Sequence, residues 1–378
     1  MEIVALVFLF ILSTLAIVNY FTAFRLQQVK VGSAPELPTA SVLIPARNEA
    51  HNLVRLIPSL ISSNYKKFEI LLLDDESDDQ TDLIAQKLLA DGSISYQVLK
   101  GKPLPVHSEF RGKNWACHQL AQMAKGEVLI FCDADVIISS EAVERTLVLL
   151  QHYPQASGLS GLPTIISSGF LEKLVIPWIM QIPLTMSLPL GFAWNWKIES
   201  MQMANGQWLA IKKSAYETLG GHQALGRNTL EDIQLAKELV RKSTGGMIPV
   251  IATQDIQVCM YSNWDSMVTG FSKNLIQIYG GNPFNFIFLL ACLDFIFFFP
   301  FWVNEGVTLH LWMGVSFIFL LRFSAARLFG QSIFQSILQF FLIWPSLLVL
   351  NIFSILVLKN HFYQNIYWKG RKINDPKC

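Results

Sequence analysis

Val128-Leu129-Ile130-Phe131-Cys132-Asp133-Ala134-Asp135-Val136 is the stretch on which the reading of this chain turns. An apolar run of strand type delivers two carboxylates, Asp133 and Asp135, to its C-terminal end. In a sheet of alternating strands and helices, ligands bind outside the C-terminal ends of the strands. Two carboxylates one residue apart can share a divalent cation, and hard cations such as Mg²⁺ take oxygen ligands and phosphate-bearing substrates. The run points to a phosphorylated small molecule handled at a strand end.

The flanking pattern supports that placement. Residues 41–45 read as a short strand and 52–63 as a helix that Pro58 must kink or shorten. Residues 69–73 read as a second strand, 81–89 as a helix, 95–99 as a third strand and 114–124 as a helix. Residues 127–131 then lead into the carboxylates. Such alternation implies a mostly parallel sheet covered by helices.

Charged residues make up 15% of the chain and hydrophobic ones 52%, against a usual charged share of about 25%. Part of the chain is therefore not in water. A net charge of +1 without a basic stripe gives no case for nucleic acid as a partner. Five scattered cysteines with no Cys-x-x-Cys pair argue against a disulfide framework or zinc site and fit a reducing compartment. Cys132 reads as buried strand filler.

Residues 3–24 are nearly all apolar, long enough to span a bilayer, and lack a signal-peptide pattern. Residues 1–25 are thus expected to be a transmembrane anchor and 26–39 a linker. Arg25 and Lys30 follow at once, so the positive-inside rule places the next domain, 40–275, in the cytoplasm of a multi-pass protein of the cell's inner membrane. Residues 165–196 are apolar but broken by Pro177, Pro183, Pro189 and the pair Glu172-Lys173. They read as short interfacial helices anchored by Trp178, Trp194 and Trp196, or as buried core. Spans are expected near 285–303, 307–326 and 334–357, within a membrane region 284–358. A basic tail, 359–378, follows. Three spans after one anchor would return that tail outside, so one segment is read as re-entrant or interfacial. Asp294 in the first is a costly group expected to face the bundle or a polar path.

Several clusters carry chemistry. Pro45-Ala46-Arg47-Asn48-Glu49 ends the first strand with polar groups that can grip a base or phosphate, or form a solvated loop. Asp75, Ser77 and Asp79 occupy a strand-to-helix turn, where a carboxylate can accept from a base imide N–H or cap the helix. Lys113 sits near a helix start, against the dipole, which suits a phosphate or a plain surface lysine. Glu231-Asp232 opens a helix, where the dipole favours acids; its functional reading is a general base. His222 after two glycines reads as structural. Asp133-Ala134-Asp135-Val136 also resembles the nucleophile strand of a metal-dependent phosphatase. That motif normally opens its domain, whereas three strand units precede it here.

Together these residues resemble a family 2 glycosyltransferase of the GT-A fold. The markers are residues 44–49, 74–81, Gly112-Lys113, Asp133-Ala134-Asp135, Asn205-Gly206-Gln207, Gly220-Gly221-His222 and Glu231-Asp232. The layout is most similar to membrane-bound carotenoid-pathway (diaponeurosporenoate) and hopanoid-associated glycosyltransferases. The resemblance implies an α/β fold with a Rossmann-like, mostly parallel sheet between membrane segments. It implies inverting transfer of one sugar from a nucleotide-sugar donor, a UDP-sugar, to a lipid-like acceptor in the bilayer. Pro45, Ala46, Arg47 and Glu49 would cradle the base, which Asp75 contacts beside Ser77. Lys113 would approach the nucleotide. Asp133 and Asp135 would hold ribose and a divalent cation, Mg²⁺ or Mn²⁺. Asp232, beside Glu231, would deprotonate the acceptor.

Two departures qualify this picture. Glu76 stands where the family often has glycine, so another turn geometry is expected. Residues 259–264 keep Trp264 but lack the arginine of the processive Gln-x-x-Arg-Trp motif, which favours a single transfer. A carboxylate acceptor, pKa about 4, needs no base, so Asp232 leans toward a lipid hydroxyl. The alternatives are a metal-dependent phosphatase or nucleotidyltransferase and a catalytically degenerate membrane protein.

Overall fold

The computed structural model describes residues 2–32, 36–90, 92–104, 112–167, 169–225, 230–242, 245–261, 263–279, 281–298, 308–363, 367–368 and 371–372. Its strands are β1 Phe24–Arg25, β2 Ala40–Ala46, β3 Phe68–Asp74, β4 Ser95–Lys100, β5 Val128–Cys132, β6 Val136–Ile138, β7 Gly158–Leu162, β8 Thr164–Ile165, β9 Trp208–Lys212, β10 Met247–Ile251 and β11 Ile256–Val258. The helices of the sheet domain are α1 Glu2–Thr22 before it, then α2 Ala50–Ile61, α3 Thr81–Leu89, α4 Gly112–Met123, α5 Ala142–His152, α6 Phe170–Ile176, α7 Ile182–Ser187, α8 Lys213–Leu219 and α9 Glu231–Arg241. The C-terminal helices are α10 Trp264–Ser272, α11 Leu275–Ile278, α12 Pro283–Phe298, α13 Thr308–Leu328, α14 Ile333–Phe341 and α15 Ile343–Phe362.

The main sheet has eight strands in the order β1-β10-β7-β9-β5-β2-β3-β4. Every pairing is parallel except the two made by β9, which runs antiparallel to β5 and β7. β2 and β3 read as unbroken apolar runs because helices cover both faces. Val42 and Ile44 pack with α2 residues on one face, while Leu43 meets α4, β9 and α9 residues on the other. The strand period of two divides one sequence between two cores. Pro58 lies inside α2, which continues to Ile61. The strands β1, β7, β9 and β10, for which no expectation existed, complete the sheet. β9 starts where β5 ends, Trp208 opposite Cys132, so the residues before β9 join the strand-end edge.

Helices Ile3–Thr22, Leu309–Leu328 and Ile343–Phe362 are long and apolar enough to cross a membrane, while Pro283–Phe298 is shorter. The stretch expected as one span near 334–357 is two helices. Ser332 caps α14, its Oγ accepting from Gln335 N–H, and α14 ends before α15 begins. Residues 165–196 do form short helices, with a π-helical turn over Pro177–Gln181 between α6 and α7. Trp178 and Trp194 are buried rather than lying at a surface. Trp178 Nε1 donates to Ser346 Oγ at 2.7 Å and Trp194 Nε1 to Gly191 O. Only Trp196 of the three is exposed, since two indoles found partners inside the fold. Asp294 accepts from Asn351 Nδ2 on both carboxylate oxygens, which ties α12 to α15. In the tail, backbone strands Tyr367–Trp368 and Arg371–Lys372 pair, and Lys369 and Lys377 lie outside the described residues.

Candidate active site

Because β2, β3 and β5 are parallel, Arg47, Asp75 and Asp133 emerge along one edge. The loops after β2 and β3 hold each other there. Asn48 N–H donates to Ser77 Oγ at 2.9 Å, and Asp78 N–H to Asn48 Oδ1 at 2.8 Å. Arg47 Nη1 donates to Asp75 O at 2.7 Å and lies 3.6 Å from Glu76. Asp79 accepts from Ala50 N–H at the start of α2 and from Thr81 N–H at the start of α3. One carboxylate thus ties down two helix starts. Burial raises its pKa, but these hydrogen bonds, led by Thr81, outweigh it and leave the carboxyl below its usual range. Glu49 is buried and accepts from Asn52 Nδ2.

Glu76 corrects one expectation. Its φ is +56°, in the left-handed region that favours glycine. The turn keeps that conformation without a glycine, and the Arg47 contacts hold it there.

At the end of β5, Lys113 Nζ lies 2.8 Å from Asp133 Oδ1 and 3.2 Å from Glu231 Oε1. The lysine that opposes the helix dipole of α4 is therefore matched by two carboxylates. Desolvation works against its charge, but Asp133 and then Glu231 hold its pKa well above the ordinary lysine value. Asp133 N–H donates to Gln207 O at 3.3 Å. Asn205 is fixed through Ser160, which exchanges hydrogen bonds with its N–H and C=O. Gly206 N–H donates to Asp232 Oδ2 at 2.8 Å. A Cβ on Gly206 would stand 3.5 Å from both Asp232 Oδ2 and Lys113 Nζ, so these groups converge on one small volume. The role of Gly206 as a clamp on Asp232 is not carried by any sequence motif by itself.

Asp135 is placed by the second sheet, β6-β11-β8. Cys259 N–H donates to Asp135 O at 3.1 Å. Its Oδ1 is buried without a hydrogen-bond partner. Burial and then the Asp133 charge push its carboxyl up to about 7. Asp232 is also pushed up to about 7, by burial and then by Glu231. Burial opposes ionisation of Glu231, but Lys113 overcomes it and sets its pKa below the usual value. An orphaned carboxylate oxygen next to a second carboxylate fits a hard divalent cation. Among the described residues no group of three or more His, Cys, Asp or Glu side chains is placed to hold a metal. Further ligands must come from substrate oxygens or water.

Cys132 is buried, and desolvation raises its thiol well above the ordinary value. His222 is buried with Nδ1 2.7 Å from Tyr216 Oη, and burial lowers its pKa to about 3. It is a neutral structural group, as its sequence context indicates. Gly221 at φ +60° lies against the Tyr216 ring, where a Cβ would approach to 2.7 Å. Asn228 and Thr229, upstream of Glu231, lie outside the described residues.

Residues 41–216 match the family model described as Glycosyl transferase family 2. The chain carries a family 2 glycosyltransferase domain. Over 241 residues it is 27% identical to a 4,4'-diaponeurosporenoate glycosyltransferase of Staphylococcus haemolyticus, covering 62% of this chain and 60% of the relative. It is 27% identical over 207 residues to the probable glycosyltransferase YdaM of Bacillus subtilis, covering 51% and 46%. The chain thus matches about three-fifths or less of the length of these relatives. The solved mannosyltransferase PcManGT of Pyrobaculum calidifontis, in complex with GDP-Man and Mn²⁺, superposes with a TM-score of 0.52 at 16% identity, over 96% of this chain and 99% of that one. The GT-A fold expected from the sequence is therefore the fold observed. The family match spans both Asp133 and Asp135, which leaves the phosphatase reading without support.

Proposed function

We propose that this chain is a membrane glycosyltransferase that moves a single sugar from a nucleotide-sugar, a UDP-sugar, to a hydroxyl of a lipid-like acceptor, with inversion. The observation that carries it is the convergence of Asp133, Lys113, Glu231 and Asp232 at one sheet edge, with Gly206 N–H fixing Asp232. The Pro45–Glu49 strand end and Asp75 take the base; Asp133 takes ribose and, with Asp135, the cation. When bound, Mg²⁺ or Mn²⁺ offsets charge on the departing diphosphate. Asp232 removes the acceptor's hydroxyl proton as that oxygen attacks the anomeric carbon from the face opposite the leaving nucleoside diphosphate. A carboxylate near pKa 7 is a competent base at neutral pH. The three long apolar helices support a membrane protein, and Arg25 and Lys30 after the first of them favour a cytoplasmic sheet domain at the inner membrane.

The test is donor turnover by purified membranes with a panel of UDP- and GDP-sugars, Mg²⁺ or Mn²⁺ and total lipid, for wild type and Asp135→Ala. Metal-dependent release of one nucleotide, lost in the variant, is expected. No release from any donor overturns the reading.

A further inference from the structure

A second built site lies away from the strand-end carboxylates, in the membrane half. α6, the π-helical turn, α13 and α14 enclose a cavity of about 350 Å³. Arg322, in the C-terminal third of α13, lines it and is only 2% exposed. Its Nη2 donates to Gln339 Oε1 at 3.0 Å and its Cζ lies 5.4 Å from the Trp178 ring centre. Its Nε and Nη1 are buried without a hydrogen-bond partner. Among the described residues no carboxylate lies within ion-pair distance of it. A guanidinium in that state is costly unless an anion completes it. The lining contains a second cation, Lys173, and no acidic residue.

The same cavity holds unsatisfied acceptors. Gln181 Oε1, Gln331 Oε1 and Thr253 Oγ1 are buried and unpartnered, and all three residues line it. The occupant must therefore bring an oxyanion for the guanidinium fork and hydroxyl donors for the amide oxygens. The rest of the lining is largely apolar. On α14, Gln335, Leu338 and Gln339 line the cavity, and Leu338 is exposed along with Ile333, Phe334 and Phe341. A wall with an exposed apolar back borders the bilayer, so the occupant comes from there. Arg322 is six residues before the end of α13, about 9 Å along the axis. Leu328 at that end packs on Leu162 and Ile251 at the sheet edge.

We propose that this cavity holds one anionic phospholipid of the surrounding bilayer, its phosphodiester on Arg322 and its headgroup hydroxyls on Gln181, Gln331 and Thr253. β8 lines the cavity through Thr164 and Ile165, and β11 links β8 to β6 beside Asp135. Two strand spacings, about 10 Å, separate β8 from β6. A bound lipid braces the sheet that places Asp135 without entering the reaction, and this holds whichever donor and acceptor the enzyme takes.

The test is lipid retention by the full chain in dodecyl maltoside. Phosphatidylglycerol and diacylglycerol of equal acyl chains, with and without the phosphodiester, are offered in turn, and retention is read by native mass spectrometry and by the unfolding midpoint. The wild type is expected to keep one phosphatidylglycerol with about tenfold preference, a factor typical of one added charge-assisted contact, and to melt higher with it. Arg322→Gln loses the preference and Arg322→Lys keeps part of it. Should Arg322→Gln not fold, Gln331→Leu carries the test. It is expected to weaken retention of phosphatidylglycerol while sparing phosphatidic acid, which has no glycerol hydroxyls. Equal retention of both lipids by the wild type, or an unchanged preference in Arg322→Gln, overturns the proposal. So does a co-purified lipid that the enzyme itself glycosylates, because the cavity then belongs to the acceptor. Sugar transfer is not the readout, so failure of the transferase reading leaves this test standing.

Discussion

The two halves of the strand-end site are built on opposite terms. In the half formed by the loops after β2 and β3, polar groups satisfy one another: Asn48 with Ser77 and Asp78, Asp79 with the starts of α2 and α3. In the half at the end of β5, four carboxylates gather around Lys113, with Lys273 and Arg55 adding positive field. Asp135 and Asp232 are both held near pKa 7 there. The first half is largely satisfied within itself, with Arg47 Nε left buried and without a hydrogen-bond partner. The second carries a surplus of negative charge that only a substrate or cation completes. Substitutions should therefore cost stability in the first half and activity in the second.

The largest effect expected is on turnover. Asp232→Asn should lower it by about 10²–10⁴-fold, the range for a lost general base. Asp135→Asn should lower it by about 10²–10³-fold, as for other electrostatic groups at a reacting centre. Both should leave the unfolding midpoint unchanged or raised, since each removes a charge from a crowded acidic site. A fall in midpoint for both variants would break the comparison.

The pH profile sharpens it. Asp232 is protonated below about 7, so turnover at saturating metal should rise tenfold per pH unit on the acidic side and level off above about 7. Burial and Asp133 raise Asp135 into the same window only without the cation, so the limb should steepen when metal is limiting. Lys113 favours the ionised form of Glu231 and of Asp232, so Lys113→Met should move the limb to higher pH. A limb that stays in place removes Lys113 from the electrostatics of the base.

In the other half, Asp79→Ala should cost about 1–2 kcal/mol of stability, the scale of a lost helix cap. Denaturant unfolding measures this, and activity should suffer less than in the Asp232 variant. The smallest effect is at Glu76. Relief of its left-handed backbone by Glu76→Gly should stabilise by up to about 1 kcal/mol, offset by glycine's entropy in the unfolded chain. Loss of stability would mean that the Arg47 contact outweighs the strain.

The strands that carry Arg47, Asp75 and Asp133 were legible because burial on both faces writes an apolar run that ends abruptly in charge. β7 and β10 were not, although fully buried, since Gly158, Gly161 and Pro249 break the pattern that marks a strand. Trp178 and Trp194 misled because an indole suits a bilayer interface and a core equally, and only their hydrogen-bond partners decide. Arg322 carries the same signal as Asp294, an ionisable group in an apolar stretch, yet what surrounds it comes from four separate helical segments.

The sequence by itself determined the fold class, the order of the strand-end motifs and the apolar helices, because each is a local pattern of burial and charge. Tertiary structure alone decided that Lys113 joins Asp133 to Glu231, that Gly206 fixes Asp232 and that Arg322 meets Gln339 while its Nε and Nη1 are left without hydrogen-bond partners. Those relations link residues 17 to 118 positions apart in the sequence. Only the packing that closes the chain on itself sets which charges meet and which are left to find a ligand.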